Sequence, residues 1–358
     1  MDNLFDINLG LKTKYSDFYN EYLESNKDVD PNSNIGKFCK LIESDYETWS
    51  DFEGAFAQKI WGTKDDIADI LYDFSVKFSE YLRKQIALCD YSDKEIIGKF
   101  ENFISKGYNT LEPMDKQILE KKNNEIHSDD VIVDFINFNY TDTLNKLIKC
   151  ILKGKDGKLL YSHRVSRAGG GSVLCSKYIG EMLHIHGMLG GNIIIGVDSL
   201  QQLANENLRN DNKIAKYCVK SEMNRDYGNG NIENKFKEMI SRSSIIYAYG
   251  LSFGESDRSR WDILSKWLQT DKGHKLIIFK LNTGFEKFEK AYPRKLLDAI
   301  DLAKDEYLSL FGIAPEDYEK YYSQIFVVDS SAVLDFKLVH EDIEDDEDTD
   351  NAKEIVTV

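Results

Sequence analysis

Two short stretches carry the side chains best suited to chemistry: Asn137-Phe138-Asn139-Tyr140-Thr141-Asp142 and His184-Ile185-His186-Gly187. An amide can orient a water or a hydroxyl, and an imidazole can take up or release a proton near neutral pH. The first stretch ends the β-branched run Val131-Ile132-Val133-Asp134-Phe135-Ile136 and precedes a helical pattern through Leu144, Leu147, Ile148 and Ile151. Strand, polar turn and helix in that order put Asn139 and Asp142 where open α/β sheets bind ligands, outside the carboxyl ends of the strands. The same residues also suit a helix cap, because short oxygen-bearing side chains satisfy the free N–H groups of a first turn. In the second stretch, His184 and His186 stand two apart, on one face of a strand, ahead of the apolar run Ile193-Ile194-Ile195. Zinc needs at least three protein ligands, and no third His, Cys or Asp follows at ligand spacing, so no metal is assigned.

The surrounding elements must hold these turns. From Thr13 to about His127 the pattern is helical; Ile67, Ile70, Leu71, Phe74, Phe78, Tyr81, Leu82 and Ile86 recur over five turns. This predicts an insertion of four to six helices, in which Trp49, Asp51 and Glu53 read as core rather than pocket wall. Leu144 to Leu152 form a helix ended by Gly154, and Lys158 to His163 a short strand. Ala168-Gly169-Gly170-Gly171-Ser172 lacks both the Walker lysine and dinucleotide spacing and reads as a flexible loop. Ile179 to Gly187 carries the histidines, and a helix-rich stretch follows from Asp198 to about Arg242. The buried strand Ser244 to Gly250 opens a second candidate ligand loop through Gly250, Ser252 and Gly254. Asp257 there either caps the next helix or touches a ligand hydroxyl. Lys275 to Phe279 and Gln324 to Val328 complete a mostly parallel, doubly wound sheet.

Three further stretches stand in a fixed order with these two: Phe5-Asp6 with Gly10 to Phe18, Trp49-Ser50-Asp51-Phe52-Glu53, and Tyr249-Gly250-Leu251-Ser252-Phe253-Gly254-Glu255-Ser256-Asp257. In that order the chain resembles, over about residues 3 to 330, the AbiH family of bacteriophage abortive-infection proteins, a divergent branch of the SIR2-like NAD-binding fold. The resemblance implies an α/β fold with a SIR2-like, Rossmann-type, mostly parallel sheet and a large all-helical insertion. The family opens with a buried strand and Gly-Asn-Gly-Phe-Asp; here Asp2-Asn3-Leu4-Phe5-Asp6 stands instead, without the strand or either glycine. Glycines at such a turn let backbone N–H groups approach a diphosphate, so the departure bears on nucleotide binding. The expected organisation is a degenerate first turn at 1–12, helical insertion at 13–128, SIR2-like core at 129–335 and an acidic disordered tail at 336–358.

The resemblance also implies an activity, cleavage of NAD or a related nucleotide at its N-glycosidic bond by an NAD glycohydrolase acting in antiphage defence. Asn139 would hold water and ribose hydroxyls and His186 would act as base, with Tyr140, Asp142 and His184 in support. His184 alternatively is a satisfied core histidine. Asn3, Asp6, Gly187, Gly250, Ser252 and Asp257 would bind the nucleotide. No cofactor beyond that nucleotide is required. The absence of any CxxC pair removes the zinc ribbon of deacylating relatives. The alternative is a non-catalytic module that senses a nucleotide or a phage component with a degenerate pocket. A nuclease built on the histidine pair is opposed by charge and ligand spacing. The expected partners are a nucleotide, a phage-derived trigger and a second copy of the chain in a homo-oligomer.

Composition bounds these readings. The chain has 358 residues, 42% of them hydrophobic, and four prolines, enough for a substantial core. A formal charge of −16 opposes non-specific nucleic-acid binding, which needs a basic surface. Glu341 to Asp350 is a self-repelling acidic block expected to be a solvated tail. Five scattered cysteines suit reduced thiols, and no apolar run has membrane length, so a soluble, cytoplasmic protein is expected.

Overall fold

The computed structural model describes residues 4–125, 130–166, 172–225, 231–281, 283–288, 293–330 and 338–339. Asn3, the glycine run at 168–171 and the acidic tail lie outside these residues. It is a mixed α/β structure in which helices dominate.

Helix α1 (Leu4–Asn8) is followed by α2 (Tyr15–Ser25), α3 (Asn34–Ser44), α4 (Phe52–Lys59), α5 (Lys64–Ala87), α6 (Lys94–Lys106) and α7 (Pro113–Glu125). The eight apolar residues of the α5 stripe are all buried, as their helical spacing predicts. Thr63 caps α5 with Asp66 in a reciprocal capping box, which fixes where this 24-residue helix starts. Its stripe meets an aromatic cluster from α2, α3 and α4, with Phe52 stacked on Phe74 at 4.1 Å and Trp49 edge-on to Phe38 at 5.1 Å. Trp49 is therefore core.

Strand β1 (Asp130–Asn137) leads into α8 (Thr143–Leu152), then β2 (Leu159–Ser166) and β3 (Ser172–His184). Short helices α9 (Glu206–Arg209), α10 (Asn212–Cys218) and α11 (Lys220–Asn224) precede α12 (Ile232–Arg242), β4 (Ile245–Tyr249), α13 (Arg258–Thr270), β5 (Lys275–Lys280), α14 (Pro293–Leu310) and β6 (Ile325–Asp329). No described helix is long and apolar enough to cross a membrane.

The strands form two three-stranded sheets where one sheet was expected from the alternation of strand and helix. In the first, β1 pairs parallel with β3 and β2 pairs antiparallel with β3; in the second, β4, β5 and β6 are parallel in that order. The short strand expected at Lys158–His163 runs from Leu159 to Ser166 and pairs antiparallel with a 13-residue partner. Among the described residues nothing pairs with the outer edges of β1 and β4. Both edges face one cavity of about 1140 Å³.

The carboxyl ends of the two sheets converge. His186, just past β3, meets Asp257, past β4, while Arg242 ahead of β4 holds Asp134 of β1 at 2.7 Å. Contacts of this kind at both ends make β1, β3 and β4 run in the same direction.

Candidate functional site

The site forms where turns after three strands meet the helical layer at those carboxyl ends. Tyr140 follows β1, His186 follows β3, and Ser252, Gly254, Ser256 and Asp257 follow β4; Glu53, Gly54, Ala57 and Gln58 of α4 and Tyr15 of α2 close it from the helical layer. They enclose a cavity of about 480 Å³, within the range typical of small-molecule sites.

Its floor is a chain of buried charges. Asp257 Oδ1 lies 3.0 Å from His186 Nε2, Asp257 Oδ2 accepts from Lys220 Nζ at 3.0 Å, and Lys220 Nζ also donates to Glu53 Oε2 at 2.8 Å. Arg260 donates to Asp257 as well and reaches Glu233 at 2.6 Å. Burial works against ionisation of Asp257, but His186, Lys220 and Arg260 together hold its carboxyl far below the ordinary carboxylate range. Burial likewise works against the Lys220 ammonium, and Glu53 and Asp257 overcome it, so this lysine stays charged.

His186 is held from both sides. Its Nδ1 lies 3.1 Å from the Phe138 carbonyl oxygen and its Nε2 faces the Asp257 carboxylate. A carbonyl and a carboxylate only accept, so both bonds coexist only when both ring nitrogens carry hydrogen. In this arrangement the imidazole is a cation that fixes Asp257. It becomes a base only by losing one of these ring protons together with the acceptor that proton faces. The Phe138 ring, edge-on at 5.6 Å, and the Tyr140 ring, 5.9 Å away, fix its plane.

Tyr140 donates to the Ile194 carbonyl at 3.1 Å, and its hydroxyl stands 3.5 Å from that of Tyr15. Burial, with Glu53 nearby, raises both phenols well above their ordinary value, so both remain neutral donors.

The other candidates fall in several places. Asn139 is buried one residue from the carbonyl that His186 touches, but its side chain lines the larger cavity, and its Oδ1 has no hydrogen-bond partner. His184 pairs with Asn145 Oδ1 at 2.9 Å, and burial lowers the affinity of its ring for a second proton. Asp142 precedes α8 and pairs with Lys146 at 2.9 Å, partly exposed. Gly250 lies at a positive φ of 69° and lines neither cavity, while Ser252 lines the smaller one. Asp257 makes no side-chain cap on α13; its carboxylate is spent on the three cations.

Gly187 is a backbone requirement. Its φ is 74°, and a Cβ there would lie 1.8 Å from the Asn192 carbonyl oxygen, so the turn that presents His186 tolerates no side chain. Gly187→Ala is expected to destabilise the fold by about 2 kcal/mol or more, seen as a lower urea midpoint at unchanged m.

Asp6 is structural. It accepts from Thr141 at 2.7 Å and Thr143 at 2.6 Å, tying α1 to the turn after β1. Burial, only partly opposed by these bonds, pushes its carboxyl from 3.8 up to about 6. A folded value above the unfolded one means a stability contribution that is full below about pH 4 and lost as pH rises through about 6. That loss amounts to about 3 kcal/mol. Asp6→Asn, which does not ionise, is expected to flatten the fall in stability over that window in urea titrations at stepped pH.

Lys220, Arg260 and Tyr15 were not legible as site residues, and Glu53 read as core. Glu53 and Lys220 are 167 residues apart, and neither stands in a motif. Only Asp257 and Arg260 leave a local trace, three apart at a helix start.

No curated protein and no solved structure matches the chain. Residues 2–279 match the family model described as bacteriophage abortive infection AbiH. That match spans well over half of the sequence, and the chain belongs to the AbiH family of bacteriophage abortive-infection proteins.

Proposed function

We propose that this abortive-infection protein hydrolyses the N-glycosidic bond of NAD or a related nucleotide in the cavity above Asp257, on a SIR2-like core whose sheet is divided in two. The observation that carries this reading is the His186–Asp257–Lys220–Glu53 chain, which lines a ligand-sized hollow at the strand ends. Four carboxylates line the cavity: Glu53 and Asp257 are paired with buried cations, while Asp51 and Glu255 add acidic character to the wall. Breaking a bond from ribose to a pyridinium develops positive charge at the anomeric carbon, which such carboxylates stabilise in a water-poor site. An acidic wall also favours the cationic nicotinamide–ribose half over the diphosphate. Ser252 and Ser256 line the same cavity and carry hydroxyl groups suited to the distal part. Once His186 has given one of its two ring protons to solvent and let go of the acceptor that proton faced, the freed nitrogen takes a proton from water or a ribose hydroxyl.

A second reading, a sensor that binds without turnover, is favoured by the double engagement of His186 and by the Asn139 side chain lining the other cavity. Purified protein incubated with NAD, with free nicotinamide followed by chromatography and binding by calorimetry, separates the two. Release that is lost in Asp257→Asn supports hydrolysis. Binding without release in the presence of phage lysate replaces it with the sensor. Neither binding nor release removes both.

A further inference from the structure

We infer that the smaller cavity selects its substrate by charge: it takes an N-ribosylated pyridinium cation without phosphate, a nucleoside such as nicotinamide riboside, ahead of NAD and ahead of a mononucleotide. The inference rests on the proposed N-glycosidic reading of this site and narrows its substrate class. Among the described residues that line the cavity there are four carboxylates, Asp51, Glu53, Glu255 and Asp257, and neither a lysine nor an arginine. Lys220 and Arg260 stand behind the wall, turned to Glu53, Asp257 and Glu233. His186 already faces the Asp257 carboxylate. Arg258 lies 3.7 Å from Glu255, but it does not line the cavity, and Asp262 and the Leu310 carbonyl hold its guanidinium as well.

A phosphate at the end of a strand normally finds its donors in the first turn of the helix that follows. Helices α4, α8 and α13 begin beside residues that line the cavity, and each presents an acid there. On α13 the Asp198 carboxylate accepts from the Ser259 N–H at 2.9 Å and from its hydroxyl at 2.6 Å, so the chain's own anion occupies the first turn. At the start of α8 the Asp6 carboxyl holds the hydroxyls of Thr141 and Thr143. Asp51 stands at the N-cap of α4 without making a side-chain cap, and Glu53 follows in the first turn. The site thus repels a phosphate where donors would be sought, and attracts a pyridinium. A 5′-monophosphate carries up to two negative charges beside the ribose, whereas a diphosphate linkage carries one on the nearest phosphorus, which ranks the mononucleotide last. Hydrolysis of the nucleoside uses one water. The bond from the anomeric carbon to the pyridinium nitrogen breaks, its electron pair leaves on neutral nicotinamide, the water oxygen bonds to that carbon, and one proton is released with the ribose.

Calorimetry and nicotinamide release compare nicotinamide riboside, nicotinamide mononucleotide and NAD on the full chain, at low salt and at about 0.5 M salt. At low salt the riboside is expected to bind about tenfold or more tighter than the mononucleotide, with NAD between them. Asp51→Asn, and separately Glu255→Gln, are expected to narrow that gap about threefold, and high salt to narrow it in the unaltered chain. Neither substitution touches the buried charge chain. An affinity for the mononucleotide or NAD equal to or above that for the riboside overturns the inference, as does a gap that neither the substitutions nor salt alter. Binding of none of the three overturns it too. The hydrolase reading fails on a different result, no nicotinamide from any of the three, and the order of affinities then still decides the charge preference. Release from all three without preference for the riboside leaves hydrolysis standing and removes the selectivity.

Discussion

Asp257→Ala will cost the fold about 3 to 5 kcal/mol. The carboxylate is 4% exposed and receives three cationic donors, from His186, Lys220 and Arg260. Its removal leaves these charges buried with too few acceptors. Desolvation of a charge in such a place is far more expensive than the loss of an ordinary hydrogen bond. Asp257→Asn keeps one acceptor oxygen and should cost about 2 kcal/mol. Adding Lys220→Met to Asp257→Ala removes one stranded cation but frees Glu53, so the double variant should recover little unless Glu53→Gln joins it. Urea unfolding at pH 7 decides the matter, and a loss below about 1 kcal/mol for the alanine variant would show that water enters the cluster.

His186→Ala will lower nicotinamide release by a factor of about 10² to 10⁴, the usual worth of a positioned acid or base. Among the described residues lining the smaller cavity His186 is the only histidine, and both phenols there are held neutral by burial. The variant removes one of three donors to Asp257, so the fold should survive with Lys220 and Arg260 in place. Nucleotide affinity measured by calorimetry should change much less than turnover. Undiminished release in the variant would assign the chemistry elsewhere, and the carboxylates would then be tested in its place.

How far these features could be read from residues alone differs from one element to the next. The α5 stripe was legible because eight apolar positions at helical spacing have one way to be buried. The turns after β1, β3 and β4 were legible because polar residues follow β-branched runs. The direction each turn residue faces was not. Phe138 gives its carbonyl to His186, while its neighbour Asn139 lines a different cavity, a matter of a few torsions in one turn. Lys220 escaped notice because its two partners come from α4 and from the loop before α13, and a lone lysine in a sequence is normally solvated. The division into two sheets was equally hidden, since strand-to-strand pairing depends on which edges meet and not on the pattern within either strand.

The Glu53–Lys220 bond has a consequence for the molecule's modularity. Glu53 belongs to the helical layer, and Lys220 to the part that carries the strands, with a continuous apolar core from Phe56 to Val197 and Cys218 around them. Detaching the helical layer would strip Lys220 of one counter-ion and uncover the apolar surface packed beside it. The two parts are therefore not interchangeable cassettes. Recombination between relatives must transfer α4 and α11 together, or keep this acid and base matched, for the hybrid to fold as one cooperative unit.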